Sequence, residues 1–311
     1  MARQIIDIDT VQPNGKKGDP ARLMSQKVNA NFAELYPALQ AAGANMLINC
    51  GIPINQRGFA GGALAAGVYG YDRWKGGVGG GNVTVNATTG AYTHTSGAWQ
   101  QIVEAPQRAW GQPLTFSVED PTGTITVNVG GTIGTIAAGS GRKGVTITPS
   151  GSGNMLVQIS ATGVTYARPK LERGGAATAF EQRPLTLELL LCQRYYCKSF
   201  PVGTTPATGL AAGIAQNATA FSSADVRTGR VQFPVEMRTI PSITLYTSND
   251  ANTQGTGRAA LWNGSQWNSN ANWSYDSISA QGFGVNGNFG SGLAVNSSWL
   301  MRFSYTADAE I

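Results

Sequence analysis

With 311 residues, 41 of them glycine, and only 13% charged side chains, the chain is too long for one small domain and too turn-rich for a helical bundle. Its formal net charge of +5 is scattered, the densest pairs being Lys16–Lys17 and Arg142–Lys143, so it lacks the basic run that a nucleic-acid surface needs. Three cysteines without a CxxC pair argue against a disulfide framework, and neither a signal peptide nor an apolar run long enough to span a membrane is expected.

Residues 1–17 read as an extended arm with a turn at Pro13-Asn14-Gly15. Residues 18–36 read as a helix: Asp19 is the expected cap, Pro20 suits the first position, and Met24, Val28, Phe32, Leu35 and Leu39 step along one face. That face has no partner in its own segment, and another domain or, more economically, the same helix in other subunits would cover it. Residues 38–51 read as a linker. Short β-branched runs at 83–85, 114–118, 124–129, 144–148, 155–160 and 163–167, with Gly, Pro, Asn or Ser between them, predict an antiparallel sandwich or jelly roll.

Residues 185–196 predict a short helix opened by Pro184, with Leu187, Leu190, Leu191, Arg194 and Tyr195 forming one stripe and Glu188 off it. Residues 198–220 read as loop. Beyond them, strands are expected at 231–235, 242–247, 258–262, 282–285 and 299–305, around a polar Asn/Gly/Ser stretch at 249–272.

The run Phe180, Glu181, Arg183, Pro184, Glu188, Leu189, Leu191, Cys192, Gln193, Arg194, Tyr195 and Tyr196 resembles the junction of tailed-bacteriophage tail-fibre and receptor-binding proteins. Gly18, Asp19, Lys27, Asn29, Asn31, Phe32, Glu34, Leu35 and Tyr36 resemble an element near the N-terminus of many such proteins. The opening Asn55-Gln56-Arg57-Gly58-Phe59 and the close Pro169-Lys170-Leu171-Glu172 with Gly174 look like the edges of their carbohydrate-binding-module-like sandwich. Phe233 to Arg238 and Tyr305 to Ile311 resemble their distal domain.

The resemblance implies a homotrimeric virion protein of the tail fibre or tail tip, folded in the host cytoplasm before assembly. Its expected parts are an arm and attachment or trimerisation helix (1–45), a sandwich (46–184), a junction helix (185–200) and a receptor-binding β-domain (201–311). Met24, Val28, Phe32, Leu35, Leu187, Leu191 and Tyr195 are the expected trimer contacts. Other tail or baseplate proteins would hold the N-terminus, and a bacterial surface polysaccharide or other surface receptor would be the ligand.

Enzymatic chemistry finds few parts. His94 is the sole histidine and reads as a surface residue, no Gly-x-Ser-x-Gly is present, and neither a metal site nor a cofactor is expected. Glycan cleavage, which needs two carboxylates, remains an alternative, as does a purely structural shaft or baseplate role. Non-enzymatic adhesion fits better. Sugar sites pair an aromatic platform with polar side chains, and two stretches have that composition: Tyr71, Asp72, Arg73 and Trp74, and Trp262, Trp267, Asn268, Trp273, Tyr275 and Asp276. Trp299, in the apolar run WLMRF, is expected in the core.

Overall fold

The computed structural model describes residues 5–41, 44–210, 214–248, 251, 253–262, 264–270, 273–290 and 292–311, without the side chains of 33–41, 215, 269, 270 and 273. Leu35 and Trp273 therefore lie outside the described side chains. Helix α1 (Ala21–Ala41) is followed by β1 (Gly62–Leu64), β2 (Lys75–Val85), β3 (Ala91–Val103), β4 (Leu114–Glu119), β5 (Ile125–Val129), β6 (Thr132–Ile136), β7 (Arg142–Ile147), β8 (Met155–Ser160) and β9 (Val164–Arg173). Next come α2 (Leu185–Gln193), β10 (Tyr196–Lys198), β11 (Ile214–Ala220), β12 (Asp225–Thr228), β13 (Val231–Gln232) and β14 (Ser242–Tyr246). The last strands are β15 (Ala259–Trp262), β16 (Trp267–Asn270), β17 (Trp273–Ser279), β18 (Gly282–Asn288) and β19 (Ser298–Asp308). The protein is mostly β, as its composition predicts. Neither helix is long and apolar enough to cross a membrane, among the described residues.

The chain forms two compact units, Met1–Leu47 with Val103–Glu181 and Ile48–Ile102 with Gln182–Ile311. The stretch from Asn55 to Lys75 thus belongs with the residues after the junction. In the first unit β4 pairs with β7 and β9, β5 pairs with β6 and β8, and all four ladders are antiparallel. Alternate residues point inward: Leu114, Phe116 and Val118, Ile125, Val127 and Val129, and Met155, Val157 and Ile159 are all buried. Beside them the buried Lys170 and Glu172 form an ion pair at 2.8 Å, and the Thr178 N–H donates to Glu172 at 2.9 Å. The PKLE edge is therefore an internal clasp.

Asp19, expected as the helix cap, does something else. Its carboxylate accepts the Asp7 N–H at 2.9 Å and the Lys27 ammonium at 2.7 Å, tying the arm to α1. Gly18 precedes it at φ +81°, where a Cβ would meet the Asp7 carbonyl at 3.0 Å, so the arm's close pass favours glycine. Along α1, Met24 and Phe32 are exposed and Val28 is half-buried.

In the second unit β1, β2 and β3 form one antiparallel ladder, and β10 to β19 build a larger system centred on β19. The N-terminal part of β19 pairs with β11 and β15, and its C-terminal part pairs with β10 and β14. Its core gathers Val226, Leu245, Phe283, Val285, Met301, Phe303 and Tyr305. His94, expected at the surface, is buried in β3, its Nε2 lies 3.0 Å from the Gly97 carbonyl, and burial lowers its pKa. Two expectations at the junction also change. Residues 198–220, read as loop, contribute β11, because the small buried residues Ala218 and Ala220 let it pack between β12 and β19. Helix α2 turns Glu188 and Cys192 inward and splits the expected stripe, with Tyr195 buried and Leu187 and Leu190, like Leu185, exposed in the single chain. A carboxylate can face inward there because the Asn49 N–H and the Arg183 guanidinium, at 3.1 Å, both donate to it.

Candidate functional site

Two constructions stand out in the second unit, one interior and one open. The interior one joins the segments whose residues carry the resemblance. The Arg73 guanidinium lies 3.4 Å over the Tyr195 ring, is ion-paired to Glu310, and donates to the Ile102 carbonyl at 2.7 Å. Arg57 lies 3.8 Å over the Tyr196 ring and bonds Asp308 at 3.0 Å. Gln56 bridges the two sides, donating through Nε2 to Asp72 and to the Tyr196 carbonyl, both at 2.7 Å. The backbone closes it: Arg238 N–H donates to the Arg194 carbonyl at 2.8 Å and Ala309 N–H to the Tyr195 carbonyl at 2.8 Å. Guanidinium stacking on both tyrosines, with the buried Glu310 and the more exposed Asp308 as counter-charges, ties these segments together.

The first predicted ligand cluster lies inside this network. Trp74 stacks on Trp99 at 6.0 Å and its indole N–H donates to the Asn49 carbonyl at 3.0 Å. Tyr71, Asp72, Arg73 and Trp74 are all buried, so in this fold they present no platform to a ligand. Tyr195, expected at a trimer axis, is likewise buried beneath Arg73, whereas Leu187 is exposed and Leu191 half-buried. Burial raises the Asp72 pKa to about 7 and raises the Cys192 thiol well above its ordinary value. Lys198 is lowered to about 8 by the same desolvation, with the Asp72 charge pulling the other way.

The open construction is a groove of about 410 Å³ lined by Asn217, Trp262, Gly264, Ser297, Ser298, Trp299 and Leu300. Strand pairing assembles it: the β11–β19 register sets Asn217 against Leu300 and Thr219 against Ser298, and β15 flanks β19 on its other side. Trp262 and Trp299 are half-buried, each packed on a core cluster while lining the groove. The Trp299 indole N–H donates to Ser297 Oγ at 2.6 Å, which fixes its ring. Trp262 pairs across the hairpin with Trp267, ring centres 5.4 Å apart, and Arg302 covers Trp267 at 4.2 Å. Among the described residues, the Asn217 amide, the Ser298 hydroxyl and the Trp262 indole N–H take no hydrogen bond within the chain. Apolar ring faces beside unused donors and acceptors are what a sugar ring requires.

Of the second predicted cluster, Trp262 lines the groove and Trp267 is buried beneath it. Asn268 is half-buried and accepts from Gln266 at 2.9 Å. Tyr275 and Asp276 lie on β17, which pairs with β18 at the far side of the sheet from β15. There the Tyr275 hydroxyl donates to the Ile243 carbonyl at 2.8 Å and Asp276 pairs with Arg227 at 2.7 Å. Trp299, expected in the core, is a groove wall instead.

No protein-family model and no curated protein matches the chain. Among solved structures, discoidin II of Dictyostelium discoideum is 12% identical over 75% of this chain and 83% of that one, with a TM-score of 0.19. A Paenibacillus sp. cycloisomaltooligosaccharide glucanotransferase complexed with cycloisomaltoheptaose is 10% identical over 81% of this chain and 46% of that one, with a TM-score of 0.22. At these scores neither likeness carries an argument about fold or ligand.

Proposed function

We propose that the chain is a non-enzymatic adhesion component of a bacteriophage tail, in the tail fibre or tail tip, that attaches the particle to a glycan on the bacterial surface. The observation that carries this reading is the Trp262–Trp299 groove with its unused polar groups. The motif resemblance supplies the biological setting. Trp262→Ala is expected to lower binding of the purified protein to host cells at least tenfold, about 1.4 kcal/mol or more, without shifting its unfolding midpoint greatly. Unchanged binding to cells would sink the adhesion reading.

The particle setting implies a homotrimer whose N-terminus meets other tail proteins. The exposed Leu185, Leu187 and Leu190 of α2, with Met24 and Phe32 of α1, support self-association. Light scattering at micromolar concentration is expected to give a trimer, and Leu187→Glu, a change at an exposed position, to give a monomer. A monomeric parent protein contradicts this part of the proposal.

A purely structural role is favoured by one observation. The Arg57–Arg73 network that joins the resembling motifs is interior, so those residues alone specify a framework and no ligand.

A further inference from the structure

We infer that the Trp262–Trp299 groove selects an uncharged hexopyranose and rejects the same sugar bearing a carboxylate or phosphate. This rests on the reading of the groove as a glycan site and narrows its ligand class.

Among the described residues its lining contains no ionisable side chain: two tryptophans, one leucine, one glycine, two serines and one asparagine. A volume of about 410 Å³ falls within the roughly 300–1,000 Å³ of small-ligand sites. An anionic sugar entering it would lose water from its charge with no cation to replace the hydration, a cost that a neutral ring avoids. The nearest cation on the same strand is Arg302, two residues beyond Leu300, and its guanidinium lies 4.2 Å over the Trp267 ring. Moving it toward a ligand would strip the cover from the tryptophan that braces Trp262.

The polar groups suit hydroxyls. The Asn217 amide both donates and accepts, the exposed Ser298 hydroxyl does the same, and the Trp262 indole offers one donor. Ser297 has a different part, because its hydroxyl accepts from Trp299 and donates to the Ala294 carbonyl. It orients the platform and leaves ligand contact to its neighbours. A sugar with a continuous C–H patch on one face would lie against a tryptophan and turn its hydroxyls to Asn217 and Ser298. The net charge of +5 would favour anions by long-range attraction, so discrimination here must come from the groove itself.

Saturation-transfer NMR and tryptophan fluorescence on the full chain test this with methyl gluco-, galacto- and mannopyranosides, their uronates and their 6-phosphates, at low and high salt. At least one neutral glycoside is expected to bind with little salt dependence. Its uronate and 6-phosphate should bind at least fivefold more weakly, and Trp262→Ala and Trp262→Phe should both weaken the neutral sugar. Asn217→Lys, at an exposed position, should raise affinity for the 6-phosphate several-fold by placing a cation at the rim. Equal or tighter binding of the anionic forms, falling as salt rises, overturns the inference while leaving the glycan reading intact. Failure of every sugar to bind overturns both.

Discussion

Arg73→Ala should lower the stability of the second unit by about 3–5 kcal/mol, because it leaves the buried Glu310 carboxylate with only the longer contact to Arg57, at 3.6 Å. Urea unfolding followed by tryptophan fluorescence measures this, with Trp74 and Trp99 as buried reporters beside the site. Three losses coincide: the ion pair to Glu310, the stacking on Tyr195, and the bond to the Ile102 carbonyl. Arg73→Lys should recover only part, since an ammonium keeps the charge but cannot reproduce the planar stacking and forked donation. Removing both charges, as Arg73→Met with Glu310→Leu, should cost less than Arg73→Ala alone, because the stranded carboxylate is then gone. The contrast is Arg227, whose pair with Asp276 is more than half exposed on the arginine side. Arg227→Ala should change stability by less than about 1 kcal/mol. Equal effects at the two arginines would show that the Arg73 network contributes no more than a surface pair.

This network marks the limit of what the sequence discloses. The β class was legible because alternating β-branched residues, as in Ile125, Val127 and Val129, both predict and fill the core. Strand β11 was not, because its Ala, Gln and Asn residues favour no strand locally and its place is set by pairing with β12 and β19. The inward face of α2 was hidden for a related reason: periodicity groups Tyr195 with the leucines, and only the fold shows that Tyr195 is buried and that the Asn49 N–H and Arg183 await Glu188. Composition alone made Tyr71 to Trp74 and Trp262 to Asp276 equivalent clusters, since an aromatic beside polar groups can be a ligand platform or a satisfied interior. Burial separates them. Within the groove, Trp262 was legible from its Asn/Gly-rich setting, whereas Asn217 and Ser298 are 81 residues apart and meet only through the register of β11 on β19. Trp299 was hidden by the apolar run WLMRF, in which Met301 and Phe303 are core residues but the tryptophan sits at the strand's beginning.

The stability contribution of Asp72 should fall as pH rises from about 4 to about 7. Its carboxyl is raised from 3.8 to about 7, chiefly by burial, and against that Gln56 donates two hydrogen bonds and Arg57 adds a favourable charge. Burial prevails because no cation makes direct contact with the carboxylate among the described residues, and Glu310 nearby adds repulsion. A group whose pKa is higher folded than unfolded binds more protons in the native state. Its contribution is therefore complete below pH 3.8 and is lost as the pH passes its folded value near 7. The full shift corresponds to an upper limit of roughly 4 kcal/mol. Other carboxylates act in the opposite sense at low pH, so the measurement is the difference between the parent and Asp72→Asn, read by urea unfolding from pH 5 to 7.5. Any fixed cost of the amide, such as its imperfect fit to Gln56, is the same at every pH and cancels from the slope. Asp72→Asn should gain on the parent by about 2–3 kcal/mol across that interval, and Lys198, lowered to about 8, remains largely protonated over most of it. A difference that does not vary with pH would mean that the carboxylate stays ionised throughout, held by Arg57 and Lys198 against its burial. In that case Gln56 would bind a charged partner at every physiological pH, and the tie between Asp72 and the Tyr196 carbonyl would be permanent.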